Sequence, residues 1–196
     1  ICEGDNSSCQ SPSVNNFSFS INEDDSLSII LLGIDPNDLL LSFIITEAPS
    51  HGYLVGDPED LSHYYYTPDE NYNGLDSFSF MAFNGDFYSN EAEILIEIIP
   101  INDPPTAENI LINIEEDSDI DITLIGSDID DDPLTFSITS SPSNGSAVIN
   151  EGILTYTPNT DYSGTDLISY VSDDGDLQSE SATILITVIN SNDPPV

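Results

Sequence analysis

YTPDENYNGLDSFSF, residues 66–80, comes back as YTPNTDYSGTDLISY at residues 156–170. Each stretch closes a β-branched and aromatic run at a Pro, turns through Tyr-x-Gly-x-Asp, and then alternates large apolar residues with small polar ones. A period of two sets successive side chains on opposite faces of a strand. Two such runs joined by a Pro/Asn/Gly-rich turn predict antiparallel β-structure. Because the phrase occurs twice, the chain is two copies of one unit.

The match extends in both directions. Asn84-Gly85-Asp86 pairs with Asp174-Gly175-Asp176, and Asn102-Asp103-Pro104-Pro105 with Asn192-Asp193-Pro194-Pro195, at an offset of 90. Upstream of an irregular insert between Gly52 and Tyr66 the offset becomes 93: Glu23-Asp24 pairs with Glu116-Asp117, Gly33-x-Asp35 with Gly126-x-Asp128, and Gly52 with Gly145. This divides the chain into an N-terminal cap over 1–11, a first domain over 12–103, and a second over 104–196 that ends in a linker. Strands in the first copy are expected near 14–21, 27–32, 39–46, 52–55, 63–67, 76–83 and 91–99. The expected class is all-β: two tandem immunoglobulin-like Greek-key β-sandwich domains, about seven strands each, arranged end to end.

Composition narrows the function. The 196 residues include 37 Asp plus Glu and no Lys or Arg, where an ordinary chain of this length would hold roughly 20 basic residues. No side chain here can neutralise phosphate, so nucleic-acid binding is excluded, and anionic membrane surfaces are disfavoured. Apolar runs such as IILLGI at 29–34 are too short to span a bilayer. No signal peptide is visible, which fits a mature or a cytosolic chain. Cys2 and Cys9 are expected to close a small disulfide loop, which implies an oxidising compartment. Three Asn-x-Ser sequons, at Asn6, Asn16 and Asn144, are glycosylation candidates.

The acids cluster beside strand ends. In a Greek-key sandwich the loop after the first strand and the loop entering the sixth lie at one end of the domain. The second-to-third and sixth-to-seventh loops lie at the other. End-to-end stacking would bring Glu23, Asp24 and Asp76 of the first copy toward Asp128, Asp130 and Asp173 of the second, with Asn102 and Asp103 between them. Hard oxygen donors without a basic partner suit Ca²⁺, which takes six to eight oxygens in flexible geometry. Mg²⁺ demands an octahedron, and zinc would call for His or Cys, which these loops lack.

The Glu near the first strand, the Asn-Asp-x-Pro linker, the Asp-x-Asp of the next domain and the Asp after its sixth strand together resemble cadherin-type repeats. The Tyr-Thr-Pro…Tyr-x-Gly-x-Asp run and the Asp-Gly loop resemble the bacterial and archaeal cadherin-like (Ig-like) tandem repeats of large calcium-dependent surface adhesins. The resemblance covers residues 12–196. It implies Ca²⁺ between successive domains, stiffening the rod, with Glu23, Asn102, Asp103, Asp128, Asp130, Asp173 and Asp76 as ligands. Pro100 stands where the vertebrate linker has a further Asp, and the adhesive N-terminal Trp of classical cadherins is absent.

Copy two keeps Glu116, Asp117, Asp166, Asn192 and Asp193, half of a second site without a partner. Copy one has lost acids at its opposite end, where Cys9-Gln10 aligns with Asn102-Asp103, Leu39 with Asp132 and Phe83 with Asp173. Residue 1 is therefore expected near a mature N terminus, while further repeats or identical subunits are expected beyond Val196. The sequence-based expectation is a non-enzymatic, extracellular or cell-surface module: a Ca²⁺-rigidified segment of an adhesin or stalk, contacting surface glycans or proteins. The alternative is the protomer of a head-to-tail filament, and a carbohydrate-binding module ranks third. The acids recur at equivalent places in both copies, which argues for structure over catalysis. His51 and His63 lie in the irregular insert of copy one and read as surface or edge residues, and the neighbouring tyrosines as core packing plus one exposed face.

Overall fold

The computed structural model describes residues 10–191. They form two compact units that divide between Ile101 and Asn102. No helix among them is long and apolar enough to cross a membrane.

The first unit holds β1 (Ser13–Val14), β2 (Phe17–Asn22), β3 (Leu27–Ile30), β4 (Gly33–Ile34), β5 (Ser42–Glu47), β6 (Gly52–Gly56), β7 (His63–Pro68), β8 (Gly74–Phe83) and β9 (Ala92–Ile99). One sheet runs β2-β9-β8-β5 and the other β3-β7-β6, with β1 paired to β4. The expected first strand is thus split. β1 pairs antiparallel with β4, whereas β2 runs parallel to β9, so the chain changes sheet at Asn15-Asn16. At the crossing Asn90 stands in for a strand neighbour: its side chain accepts from Val14 N and donates to Val14 O.

The second unit repeats this plan with β10 (Thr106–Ala107), β11 (Ile110–Glu115), β12 (Ile120–Thr123), β13 (Gly126–Ser127), β14 (Thr135–Ser140), β15 (Gly145–Asn150), β16 (Ile153–Pro158), β17 (Gly164–Asp173) and β18 (Ala182–Ile189). Its sheets are β11-β18-β17-β14 and β12-β16-β15, with β10 on β13. A register shift falls at matching places, Ile45/Glu47 and Ile138/Ser140.

Period-two alternation builds both cores. Along β9 the buried residues are Ala92, Ile94, Ile96 and Ile98, and along β18 they are Ala182, Ile184, Ile186 and Val188. Tyr66, Phe78 and Phe80 close the first core, and Tyr156, Ile168 and Tyr170 the second. The positions between them, Glu93, Leu95 and Glu97 on β9 and Leu185 on β18 among them, lie on the outer face, as in a sheet with one face packed on the core.

Candidate functional site: carboxylates at the domain ends

The YTP…Gly-x-Asp phrase folds into a buried knot. Asp76 Oδ1 accepts from Ser50 N and Ser77 N, and Oδ2 from His51 N at 3.0 Å and the Tyr66 hydroxyl at 2.8 Å. Asp166 does the same with Ser143 N, Leu167 N, Asn144 N and the Tyr156 hydroxyl. The sequence places Asp76 and Asp166 among the cation ligands; the structure gives them another task. A carboxylate has about four lone-pair sites, and each of these four meets a donor of its own domain. Burial would raise the Asp76 carboxyl, but the hydrogen bonds outweigh it and hold the group below its ordinary range. Burial and the adjoining carboxylate push the Tyr66 and Tyr156 hydroxyls well up. Each tyrosine lies against a glycine. A Cβ on Gly52 would sit 2.5 Å from Thr67 O, and one on Gly145 would sit 2.5 Å from Thr157 O.

Asp24 and Asp117 are turn residues, at φ of 61° and 59°, a region that Asp tolerates better than most residues. Their side chains hold Asn71 N and Asp161 N. Glu23 and Glu116 are buried, and each carboxylate grips the chain leaving its domain. Glu23 Oε1 accepts from Ile101 N, and Glu116 Oε1 accepts from Ser191 N and Asn190 Nδ2. Asn192 and Asp193, with Cys2, Cys9 and Asn6, lie outside the described residues.

The second domain gathers the remaining acids around its entry. Asp103 N donates to Asp130 Oδ2 at 2.8 Å. Asp128 Oδ1 accepts from Asp130 N and Asp132 N, while Asp128 Oδ2 is buried and has no hydrogen-bond partner among the described residues. The Asp132 carboxyl is pushed up, by desolvation first and then by the like charges of Asp128, Asp130, Asp174 and Asp176. Asn102 Nδ2 reaches Asp174 Oδ2 at 3.0 Å. Asp173, the residue the sequence selects, is turned to its own hairpin, accepting from Gly175 N and Gln178 Nε2. Neighbouring residues leave opposite faces of a strand end, so the choice between 173 and 174 depends on where the pleat stops. The repeat did contain the signal, because Asp174 is the counterpart of Asn84.

At the matching end of the first domain the cluster is neutralised by amides. Gln10, Asn37 and Asn84 occupy the places of Asp103, Asp130 and Asp174. Gln10 N donates to Asn37 Oδ1 at 3.1 Å, and Asn84 Nδ2 donates to Asp35 Oδ2 at 2.7 Å and to Gln10 O. The Asp35 carboxyl is lowered, chiefly by the Asn84 amide. One fold thus presents a hydrogen-bonded end in its first copy and an end rich in unneutralised oxygen in its second.

Elsewhere, His51 stacks on Tyr72 with ring centroids 4.1 Å apart. His63 meets Ser28 Oγ and lies 3.9 Å from Asp57. Of the described sequons, Asn16 is exposed and accepts from Glu93 N, and Asn144 N is held by Asp166.

The chain matches the bacterial Ig domain family twice, over residues 10–97 and 102–187. It belongs to that family. No curated protein matches the chain. As a tandem pair of bacterial Ig domains it is similar in fold to the crystal structure of human protocadherin-24 EC1-2 form II, at 14% identity over 89% of this chain and 95% of that one, TM-score 0.60. Human mucin-like protocadherin EC1-2 follows at 17% identity over 93% and 100%, TM-score 0.53. An endo-fucoidan hydrolase of glycoside hydrolase family 107 aligns at 19% identity and a TM-score of 0.43 over 96% of this chain. The chain spans 30% of that hydrolase.

Proposed function

We propose that this tandem pair is a Ca²⁺-stiffened segment of an extracellular structural or adhesive protein. Bacterial Ig and cadherin-like domains are typically extracellular and non-catalytic. The observation that carries the reading is Asp128 Oδ2, a buried carboxylate oxygen with no donor among the described residues, close to Asp132, whose carboxyl is pushed up by desolvation and then by the like charges around it. An uncompensated buried charge costs several kcal/mol, and with no Lys or Arg in the chain a cation is the available remedy. The donors are all oxygen, which suits Ca²⁺. Asn102, Asp103, Asp128 and Asp130 would hold the ion, with Asp174 in the role the sequence gives Asp173. Glu23 would join them from the preceding domain, since it grips Ile101, the residue bonded to Asn102. An ion held by both sides of a linker restricts its rotation and makes the pair a stiff unit. Its partners would be further repeats, and surface glycans or proteins.

A second reading, the protomer of a head-to-tail filament, draws on Glu116, which grips Ser191 as Glu23 grips Ile101. The second domain thereby presents the same device to whatever follows it.

Thermal melting of the full chain against CaCl₂, MgCl₂ and chelator tests the proposal. Millimolar Ca²⁺ is expected to raise the transition by several degrees and Mg²⁺ by less. Equal melting in Ca²⁺ and in chelator would overturn it.

A further inference from the structure

We infer that the first domain carries a docking groove for a basic, leucine-rich peptide segment of a different protein. The groove, about 710 Å³ in volume, lies between the chain following β3 and the insert that separates β6 from β7. Its apolar wall is unusually wet: Leu40 is 93% exposed, Leu61 69%, Ile34 66% and Leu32 59%. Four neighbouring aliphatic side chains left in water form the kind of contiguous patch that marks a binding surface. Asp38, Glu59 and Asp60 rim it.

The second domain lacks this patch. Its counterpart groove is smaller, about 510 Å³, and where copy one has Leu39-Leu40, copy two has Asp132-Pro133. The loop bearing Leu61 and Glu59 belongs to the insert, which copy two shortens by three residues. The apolar wall is therefore built by substitutions and an insertion that the sandwich does not need, since the second copy folds without them.

Charge decides the occupant. A second copy of this chain would bring a surface without a single Lys or Arg, at a formal charge of −37, against Asp38, Glu59 and Asp60, and like charges across an interface oppose association. A segment with Leu or Ile on one face and Lys or Arg flanking them fits both the wall and the rim. The groove and the cation cluster of the second domain share no residue, so this inference stands apart from the Ca²⁺ reading.

The test uses the full chain in millimolar Ca²⁺ with two 12-residue peptides of equal charge, one alternating Leu with Lys and one alternating Ser with Lys, followed by fluorescence anisotropy. The Leu/Lys peptide is expected to bind roughly tenfold tighter or more. Leu40→Ser with Leu61→Ser, both solvent-exposed changes, should erase that preference. Asp38→Asn with Glu59→Gln should weaken Leu/Lys binding about threefold or more and flatten its salt dependence. A preference that survives the leucine substitutions overturns the inference. So does sedimentation showing self-association that those substitutions abolish, which would assign the groove to a second copy of this chain.

Discussion

Asn84 Nδ2 lies 2.7 Å from Asp35 Oδ2 in the first domain, and the residue matching Asn84 in the second domain is a carboxylate, Asp174. With Gln10 and Asn37, which stand where the second domain has Asp103 and Asp130, this amide separates a sandwich end closed by its own hydrogen bonds from one that gathers charge. Asn84 Oδ1 also accepts from Asp86 N and Phe87 N, so the same side chain shapes the hairpin between β8 and β9.

Asn84→Asp should therefore install in the first domain the repulsion that the second tolerates. A hydrogen bond to a charged group contributes about 1.5–3 kcal/mol, and about 1 kcal/mol moves the melting temperature of a domain this size by 4–8 °C. A fall of at least about 6 °C in chelator is expected by calorimetry, with partial recovery in Ca²⁺.

Asp128→Asn should invert its sign with the cation. In chelator it removes a buried, uncompensated oxygen and its repulsion of Asp132, so the second domain should melt at a higher temperature than wild type. In millimolar Ca²⁺ it should melt lower, because a ligand is lost. Asp174→Ala should blunt the Ca²⁺ response more than Asp173→Ala, since both carboxylates accept from their own hairpin but only Asp174 also holds Asn102. Equal responses from the two variants would return the role to Asp173.

Asp76→Ala leaves Ser50 N and His51 N without their acceptor, and the Tyr66 hydroxyl with only its longer bond to His51 O. Each orphaned buried donor costs about 1–3 kcal/mol, so loss of the first domain's cooperative transition is expected, while the second still melts as a unit. The wild-type knot also sets an acid limit. Because the folded-state value of Asp76 lies below its ordinary 3.8, the stabilisation is complete above that pH and is lost as pH falls through the folded value. Stability of the first domain should be flat in this group from pH 5 upward and fall below about pH 4, as followed by near-ultraviolet circular dichroism.

Gly145→Ala should destabilise the second domain although alanine is small. The added Cβ would meet Thr157 O at 2.5 Å and the Tyr156 ring at 2.7 Å, and backbone must move to admit it. Overpacking of this kind costs about 1–3 kcal/mol. Gly85→Ala, where nothing lies within 4 Å of the added Cβ but φ is 101°, separates backbone strain from crowding in the same denaturation assay.

Much of the molecule was legible in the sequence, because the signals involved are local and periodic. Alternation along Ala92–Ile99 and Ala182–Ile189 states which residues face the core, and a 90-residue offset states that the unit repeats. The grouping of Asn102, Asp103, Asp128 and Asp130 at one end of one domain also follows from strand order and loop position. The crossing of the first strand between sheets was not legible, since FSFSI alternates identically whichever neighbour it pairs with.

What the sequence by itself determined is the all-β class, the duplication and the sets of acids beside strand ends, all of which depend on residue type and spacing along one chain. Only the tertiary structure decided which carboxylates are spent inside the fold. Asp76 and Asp166 look in sequence like Asp128 and Asp130, yet the first pair is saturated by four donors each while Asp128 keeps a bare buried oxygen. The difference lies in donors supplied by residues more than twenty positions away, Ser50 and His51 for one and Ser143 and Asn144 for the other. No local pattern encodes such a meeting, because it exists only after the sheets have packed.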